Sequence, residues 1–402
     1  MEKLVFADGE KIGVWDGTSV RLFESDYIVR YRGYVENRKV NDEWKFSGEG
    51  ARFRGDFERN QGRREETVTA YINGVDWDGD KIVYAFTVNG SSGVYRKDVE
   101  SEKAQEEHIF SASDTEILSV HVSGGSIAVT VRSDDVTSSI GTLDSRSSEL
   151  RTLTGGDARD ANACPSKRNP AELLFDSAGV GRTADGSFSG KYAPASIYRI
   201  HRDTLDLVEI KADKRYSYVK PVEDAEGNIW CIRRPNGGKG GGNLFWDILL
   251  FPFRILKAIF GFLQAFTVIF GHTSLTTGTA DGDNPTRGRK TDTRKLFVDG
   301  SLIEADKEFK RNRKFKDREY GFIPASWKLV KLGDKEEIVA HGVCDFSLGA
   351  GGAVYYTDGR HIWRREGGKD TKITNTDCCL ALSVAPMFGG SAQKTAEDDF
   401  FA

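Results

Sequence analysis

The sequence predicts an all-β protein made of repeated β-hairpins, and three features carry that prediction. Short runs of β-branched and aromatic residues alternate with polar residues at period two, as Ile127, Val129 and Val131 show within residues 117–133. Turns that combine Gly with Asp or Asn separate successive runs. These hairpins recur roughly every 40 to 50 residues, the spacing expected of four-stranded repeat units.

Five segments show the hairpin pattern most clearly: 4–23, 74–99, 117–133, 218–234 and 346–366. A turn such as Glu226-Gly227-Asn228 or Asp358-Gly359-Arg360 adjoins an aromatic strand such as Ile229-Trp230 or Val354-Tyr355-Tyr356. In this arrangement the chain, outside residues 235–325, resembles the β-propeller superfamily in its TolB-like or WD40-like sense. The resemblance implies a propeller of five to six blades, or up to seven. A pair of β-sandwich domains is the alternative architecture.

The two ends of the chain are expected to share one blade. Residues 378–385 have the pattern of an inner strand without partners, and residues 4–23 that of outer strands without an inner one. Residues 1–234 would then form the first part of the propeller, and residues 326–388 the last part. Such closure removes the unpaired sheet edges that promote aggregation.

Residues 235–325 are predicted to be an insertion, and their most unusual part is the very apolar segment 243–271, which follows the glycine-rich run 237–242. On a helix, its polar positions fall within an arc of about 100°, which leaves a wide apolar face. The residues expected to contact a membrane or partner are Leu244, Phe245, Trp246, Leu249, Leu250, Phe253, Ile255, Leu256, Ile259, Phe260, Phe262, Leu263, Phe266, Ile269 and Phe270.

A basic segment, 307–318, follows the apolar one and contains seven basic residues against two acidic ones. Its predicted basic surface consists of Lys307, Lys310, Arg311, Arg313, Lys314, Lys316 and Arg318. An amphipathic helix followed by a polybasic segment is typical of attachment to an anionic membrane surface. The alternatives are a transmembrane or re-entrant segment, packing on the propeller, a homo-oligomer contact, and nucleic-acid binding with Phe309, Phe315 and Tyr320 as stacking partners.

Composition limits where partners can bind and where the protein is expected to reside. With 57 basic and 61 acidic residues among 402, the formal net charge is -4, so any electrostatic partner site must be local. The five cysteines are scattered and show no zinc-binding spacing, which predicts free, mostly buried thiols in a reducing compartment. The first residues lack the pattern of a secretory signal. We therefore expect a cytoplasmic protein, at the inner face of the membrane if it is attached.

Two further segments depart from the hairpin pattern. Residues 30–66 are rich in Gly and in both charges, and they predict a long loop or an extended hairpin. Residues 389–402 form an acidic, aromatic tail that is expected to be flexible. Such a tail can also dock into a basic-rimmed pocket through Asp398, Asp399, Phe400 and Phe401.

Searches for catalytic and cofactor motifs assign no residue. No phosphate-binding loop, HExxH or GxSxG pattern occurs, and Asp76, Asp78 and Asp80 lack the remaining positions of a calcium loop and predict a turn. No cofactor or metal is expected, and catalytic residues stay unknown. The sequence favours a non-enzymatic interaction scaffold at a membrane surface or on a membrane-bound partner. The alternatives are an enzyme or small-molecule-binding propeller with a site at its central channel, and nucleic-acid contact through the basic segment.

Overall fold

The computed structural model describes residues 2–42, 68–100, 105–113, 115–132, 134–144, 148–183, 186–236 and 295–385. Within these ranges, six antiparallel sheets are arranged as the blades of a β-propeller, and a separate two-stranded hairpin lies inside the insertion. The predicted all-β propeller fold is confirmed, and its blade number is six.

The first three blades use the strands that precede residue 153. Blade 1 contains β1 (Leu4–Asp8), β2 (Lys11–Trp15) and β3 (Val20–Glu24), followed by helix α1 (Asp26–Asp42). Blade 2 contains β4 (Ala70–Asp78), β5 (Lys81–Val88), β6 (Ser91–Asp98) and β7 (Glu107–Ala112). Blade 3 contains β8 (Glu116–Ser123), β9 (Ser126–Arg132), β10 (Ser139–Asp144) and β11 (Leu150–Thr152).

The remaining blades follow the same order, with one added strand and one insertion. Blade 4 contains β12 (Ala158–Pro165), β13 (Glu172–Arg182), the added β14 (Phe188–Tyr192), β15 (Ser196–His201) and β16 (Leu207–Lys211). Blade 5 contains β17 (Tyr216–Glu223), β18 (Ile229–Pro235), β21 (Lys328–Leu332) and β22 (Glu337–His341). Between β18 and β21, the insertion forms the hairpin strands β19 (Lys295–Val298) and β20 (Ser301–Glu304) and helix α2 (Ala305–Asn312), which are not part of the blade sheet. Blade 6 contains β23 (Asp345–Leu348), β24 (Val354–Thr357), β25 (His361–Glu366) and β26 (Lys369–Asn375), and β27 (Ala381–Val384) is the last strand of the described residues.

The ring closes through β27, which pairs with β1 and becomes the inner strand of blade 1, as predicted. Asp76 joins this strand to the next two blades, because its carboxylate accepts hydrogen bonds from Ser383 Oγ at 2.5 Å and Val122 N–H at 2.6 Å. The predicted turn after Asp78 is confirmed as the β4–β5 hairpin. Closure therefore combines strand pairing with polar contacts between inner strands.

Hydrophobic side chains fill each space between neighbouring blades. Val5, Ile12 and Tyr84 belong to the cluster between blades 1 and 2, and Leu174 and Cys231 to that between blades 4 and 5. Successive side chains of a strand point to opposite faces of its blade. Because neighbouring blades cover both faces, apolar residues occur on both of them. The cysteines also contribute to these interiors: all five are free, and four of them are buried.

Helix α1 replaces the loop or extended hairpin predicted for the start of segment 30–66. Ile28 and Val35 are buried and lie about two helical turns apart, and Ile28 packs with the aromatic core of blade 2. The Glu106 carboxylate caps the helix by accepting from Asp26 N–H at 2.7 Å and Tyr27 N–H at 3.1 Å. The prediction was wrong because the stabilising contacts come from another blade. Residues 43–66 lie outside the described part.

The insertion leaves and returns at one face of the ring. It joins β18 to β21, which are adjacent and paired, with Arg233 opposite Lys328. As predicted, the strands on either side of the insertion share a blade. Since β18 ends where the inner strand β17 begins, the insertion emerges at the face where that inner strand starts, which we call the insertion face. Val298 and Ile303 of its hairpin pack into the core beside blades 5 and 6.

Candidate functional site

Two inner strands carry matching irregularities at the propeller axis. The register of β12 shifts between Ala161 and Cys164, and that of β17 shifts between Val219 and Val222. Asn162 and Lys220 lie within these bulges with φ values of 54° and 54°. Non-glycine residues rarely adopt this left-handed conformation, and bulges commonly redirect a side chain toward a site. Adjacent blades thus distort their backbones at the same place.

The Lys220 ammonium connects three parts of the ring. It donates to Asp345 Oδ1 at 2.9 Å and to the Leu380 carbonyl at 3.2 Å. Asp345 Oδ2 in turn accepts from Leu382 N–H at 2.7 Å. Lys220 therefore ties blade 5 to blade 6 and to the strand that closes the ring.

Asp176 of β13 lies directly beside this lysine and is 0% exposed. Its Oδ1 accepts from Asn162 Nδ2 at 2.8 Å and from Lys220 N–H at 3.0 Å. The Arg159 guanidinium lies 3.7 Å from Asp176 Oδ2. The bulges in β12 and β17 thus both supply donors to one buried carboxylate.

Asp299, at the tip of the β19–β20 hairpin, brings a further carboxylate into the same space. Its Oδ1 lies 3.7 Å from Arg159 and 3.4 Å from Asn162 Nδ2, and its Oδ2 lies 3.9 Å from Lys220. The hairpin backbone is held by Arg234, which donates to the Asp299 carbonyl at 3.0 Å and stacks on Trp327 at 4.6 Å. Asp299 has φ 45° and precedes Gly300, as a tight two-residue turn requires. We call these groups, with Asp345, the axial cluster.

Burial and charge shift the pKa values of this cluster in opposite directions. Burial, with a contribution from Asp299, raises the pKa of Asp176 to about 6 even though Arg159 opposes the shift. Burial also acts on Asp299, but the cations Lys220, Arg234 and Arg159 outweigh it and hold its pKa below the ordinary value. Burial lowers the pKa of Arg234 to about 10. Convergent side chains with such shifts are typical of binding and catalytic sites.

Two oxygens of the axial cluster have no hydrogen-bond partner, namely Asp176 Oδ2 and Asp299 Oδ2. Buried carboxylate oxygens are normally satisfied, so their position at the axis indicates a place where a polar group is recognised. Lys220, Arg234 and Arg159 surround these carboxylates and offset their negative charge. In the ranges that the structure describes, no group of three His, Cys, Asp or Glu side chains is placed to hold a metal ion.

A second buried ion pair corrects the predicted basic surface. The Arg318 side chain is 7% exposed and donates to Asp358 Oδ2 at 3.2 Å. Its guanidinium lies 4.0 Å from the Tyr320 ring centroid and 4.9 Å from that of Trp363. Asp358 also accepts from Trp363 Nε1 at 3.0 Å. Arg318 thus fixes the end of the insertion to blade 6 and is not part of an exposed basic face.

The other six predicted cations do lie at the surface: Lys307, Lys310, Arg311, Arg313, Lys314 and Lys316. Lys307 pairs with Glu304 at 3.1 Å and Arg311 with Glu308 at 2.5 Å, so part of their charge is balanced locally. Phe315 is 48% exposed, whereas Phe309 packs against the core. Half of the exposed cations lie on α2 and half directly follow it, and this helix is itself anchored to the propeller.

The apolar segment 243–271 and the tail with Asp398, Asp399, Phe400 and Phe401 lie outside the described residues. The expectations about them remain predictions. Among the helices of the described ranges, none has the length and apolar character needed to cross a membrane.

Sequence reasoning did not identify the axial cluster. Arg159, Asn162 and Asp176 occur in ordinary strand patterns. Their side chains converge because of two β-bulges, which the local sequence does not predict. The Asp299-Gly300 turn was visible as a hairpin signal inside the insertion. Its chemistry follows only from the position of the hairpin at the axis.

Comparison with known proteins finds likeness at the level of structure. No family model and no curated protein matches the chain. Among solved structures, TolB from Acinetobacter baumannii is 11% identical with a TM-score of 0.49, and the match covers 96% of this chain and 67% of that one. A protein of unknown function from Bacteroides caccae is 8% identical with a TM-score of 0.41 over 95% of this chain and 98% of that one. A putative TolB from Agrobacterium tumefaciens is 9% identical with a TM-score of 0.38 over 77% and 82%. The sheet topology shows that the chain is a six-bladed β-propeller, and its structural resemblance is to TolB-like proteins.

Proposed function

We propose that this propeller is a non-enzymatic, cytoplasmic scaffold that attaches to an anionic membrane surface through segment 243–271 and the exposed cations between Lys307 and Lys316. The observation that supports it best is the placement of the insertion: its first and last residues adjoin paired strands of one blade, at one face. A segment that leaves and returns on the same side suits in-plane attachment, since both flanks stay in water.

The described end of the insertion is rigidly tied to the propeller. Asn312, at the end of α2, is 1% exposed and donates to the Gly321 carbonyl at 2.9 Å and the Ile323 carbonyl at 2.7 Å. Arg318 adds its ion pair with Asp358. Any surface that binds the insertion would therefore be held at a fixed orientation to the insertion face.

Electrostatics supports an anionic surface as the partner. The six exposed cations lie within ten consecutive residues, 307–316, which contain one acidic residue, Glu308. A basic residue near an anionic leaflet contributes about 1 kcal/mol, and apolar burial supplies the second attachment signal. Together the two signals account for stable but peripheral binding.

Flotation with vesicles tests the proposal. The full chain should float with vesicles of phosphatidylcholine containing phosphatidylserine, and much less with phosphatidylcholine alone. Replacing residues 243–271 by a Gly-Ser linker should abolish flotation, because the apolar anchor is lost. Changing Lys310, Arg313, Lys314 and Lys316 to Gln should weaken flotation, and high salt should weaken flotation of the wild-type chain, because it screens the same charges.

Matched variants separate attachment from folding. Lys369→Gln with Lys335→Gln removes exposed cations elsewhere and should leave flotation unchanged. Arg318 is kept in all variants because it is structural. Flotation that persists without residues 243–271 would contradict the proposal. A soluble complex that forms through the same residues would instead point to a protein partner or a homo-oligomer, and salt-sensitive RNA binding that survives the deletion would point to nucleic acid.

A ligand-binding or enzymatic role is the second candidate, and the axial cluster favours it. Asp176 has a pKa raised to about 6 by burial and stands beside Arg159 and Lys220, as a buried recognition site would require. No catalytic step is assigned to these groups. A screen of small anions by thermal shift distinguishes this role, since a ligand held at the axis raises the Tm.

A further inference from the structure

We infer that the axial cluster is a binding site for a carboxylate, and that the Asp299 side chain of the β19–β20 hairpin is its resident occupant. An external carboxylate ligand would take the place of this side chain. The inference concerns the propeller axis and does not depend on membrane attachment.

The walls of the site carry three cations from different strands. Arg159 belongs to β12, Lys220 to β17 and Arg234 to β18, and the Arg234 side chain is buried. Two wall carboxylates, Asp176 and Asp345, offset part of this charge. Three positive and two negative groups leave one positive charge, which the single carboxylate of Asp299 neutralises. The walls are therefore complementary to one carboxylate.

The fit of Asp299 is loose. Its carboxylate lies 3.7 Å from Arg159 and 3.9 Å from Lys220, beyond hydrogen-bond length, and its Oδ2 has no hydrogen-bond donor. By contrast, Lys220 approaches Asp345 at 2.9 Å in the same space. Asp299 thus balances the charge of the walls while it accepts one long hydrogen bond, from Asn162 Nδ2 at 3.4 Å. A free carboxylate can settle closer, because it is not fixed to a hairpin backbone.

The occupant can be separated from the walls. Asp299 is delivered by two four-residue strands that pair with each other and with no blade. Arg234 holds this hairpin through the carbonyl oxygens of Val298 and Asp299, at 3.4 Å and 3.0 Å, and not through the carboxylate. Removing the carboxylate therefore leaves the hairpin with its own anchors.

Acetate is the matching probe, because the Asp299 side chain is an acetate group attached to the backbone. Asp299→Gly removes that group and is compatible with the left-handed backbone at this position, φ 45°. Acetate is expected to bind the vacated site. With a Kd of about 10 mM, about 100 mM acetate should raise the Tm of this variant by about 2 °C.

Three controls define the result. Sodium chloride at equal ionic strength and neutral acetamide should leave the Tm of Asp299→Gly unchanged. Asp334→Gly, which removes an exposed carboxylate from the β21–β22 turn, should show no acetate effect. Adding Arg159→Met to Asp299→Gly should abolish the effect. An acetate shift that equals the chloride shift in folded Asp299→Gly overturns the inference.

Two further readouts keep the inference testable if the variant folds poorly. The refolding yield of Asp299→Gly should be higher in acetate than in chloride. An equally low yield in both salts would contradict the inference. In the wild-type protein, the same acetate concentrations should raise the Tm by less than in Asp299→Gly, because Asp299 competes for the site. An equal acetate shift in both proteins would show that acetate binds elsewhere and would contradict the inference.

Discussion

Replacing Asp176 by Asn should make the protein more stable at neutral pH, although it removes a buried charge from an ion-paired cluster. Asp176 is 0% exposed, and burial raises its pKa from 3.8 to about 6 despite Arg159 nearby. An Asn side chain keeps the acceptor for Lys220 N–H and Asn162 Nδ2, and it replaces the unpartnered Oδ2 with a donor. The substitution therefore keeps the hydrogen bonds that Asp176 accepts and removes its ionisation, while Arg159 retains Asp299 as a carboxylate neighbour.

The sign and size of the effect follow from proton linkage. Because the pKa of Asp176 is higher in the folded state than in the unfolded state, its favourable contribution is complete below about pH 4 and is lost as pH rises through about 6. A gap between 3.8 and about 6 corresponds to about 3 kcal/mol, since each tenfold change in an ionisation constant is about 1.4 kcal/mol. The Asn variant has no such loss.

Urea unfolding of both proteins between about pH 4 and about pH 7.5 measures this difference in free energy of unfolding. The contributions of other titrating groups cancel when one protein's free energy is subtracted from the other's. The advantage of Asp176→Asn should grow with pH by up to about 3 kcal/mol. Asp224→Asn is the control of opposite sign: despite burial, hydrogen bonds from Trp230 and Asn228 hold the Asp224 pKa at about 2, so that variant should lose stability throughout this range. Parallel pH profiles for wild type and Asp176→Asn would refute the reasoning.

Three further predictions concern the ring and its attachments. Arg318→Met should destabilise by about 3 kcal/mol because it leaves the Asp358 carboxylate buried without its cation, whereas Arg311→Met on the surface should change unfolding by less than about 0.5 kcal/mol. Deleting residues 381–402 should open the ring and cause aggregation, while deleting 386–402 should leave the Tm unchanged; chromatography and thermal melts decide this. Glu106→Gln should weaken the cap of α1 by about 1 kcal/mol, measured by urea unfolding, and an unchanged midpoint would exclude that role.

The blades could be predicted because their determinants are local. Alternating runs and Gly-containing turns specify each hairpin, and the closing strand around Leu382 could be matched to residues 4–23 by counting strands. The interruption of blade 5 was equally visible, since the strands on either side of residues 235–325 lacked their partners. Local pattern and repeat spacing therefore account for the fold.

The features that were missed depend on contacts between distant parts of the chain. Helix α1 shows few apolar positions, and its capping carboxylate comes from Glu106, in another blade. Arg318 belongs to a run of cations, and its burial is explained by the ring of Tyr320 and by distant groups such as the ring of Trp363 and the carboxylate of Asp358. Asp299 reaches the axis because its hairpin packs through Val298 and Ile303 into the core beside blades 5 and 6. No spacing in the sequence encodes these approaches.

Hydrogen exchange with mass spectrometry, with and without phosphatidylserine-containing vesicles, tests most directly whether the insertion is the attachment surface. The proposal predicts that vesicles slow exchange in residues 243–271 and leave the strands of the six blades unchanged. Slowed exchange confined to the blades, or no change in 243–271 while the protein is bound, would contradict it.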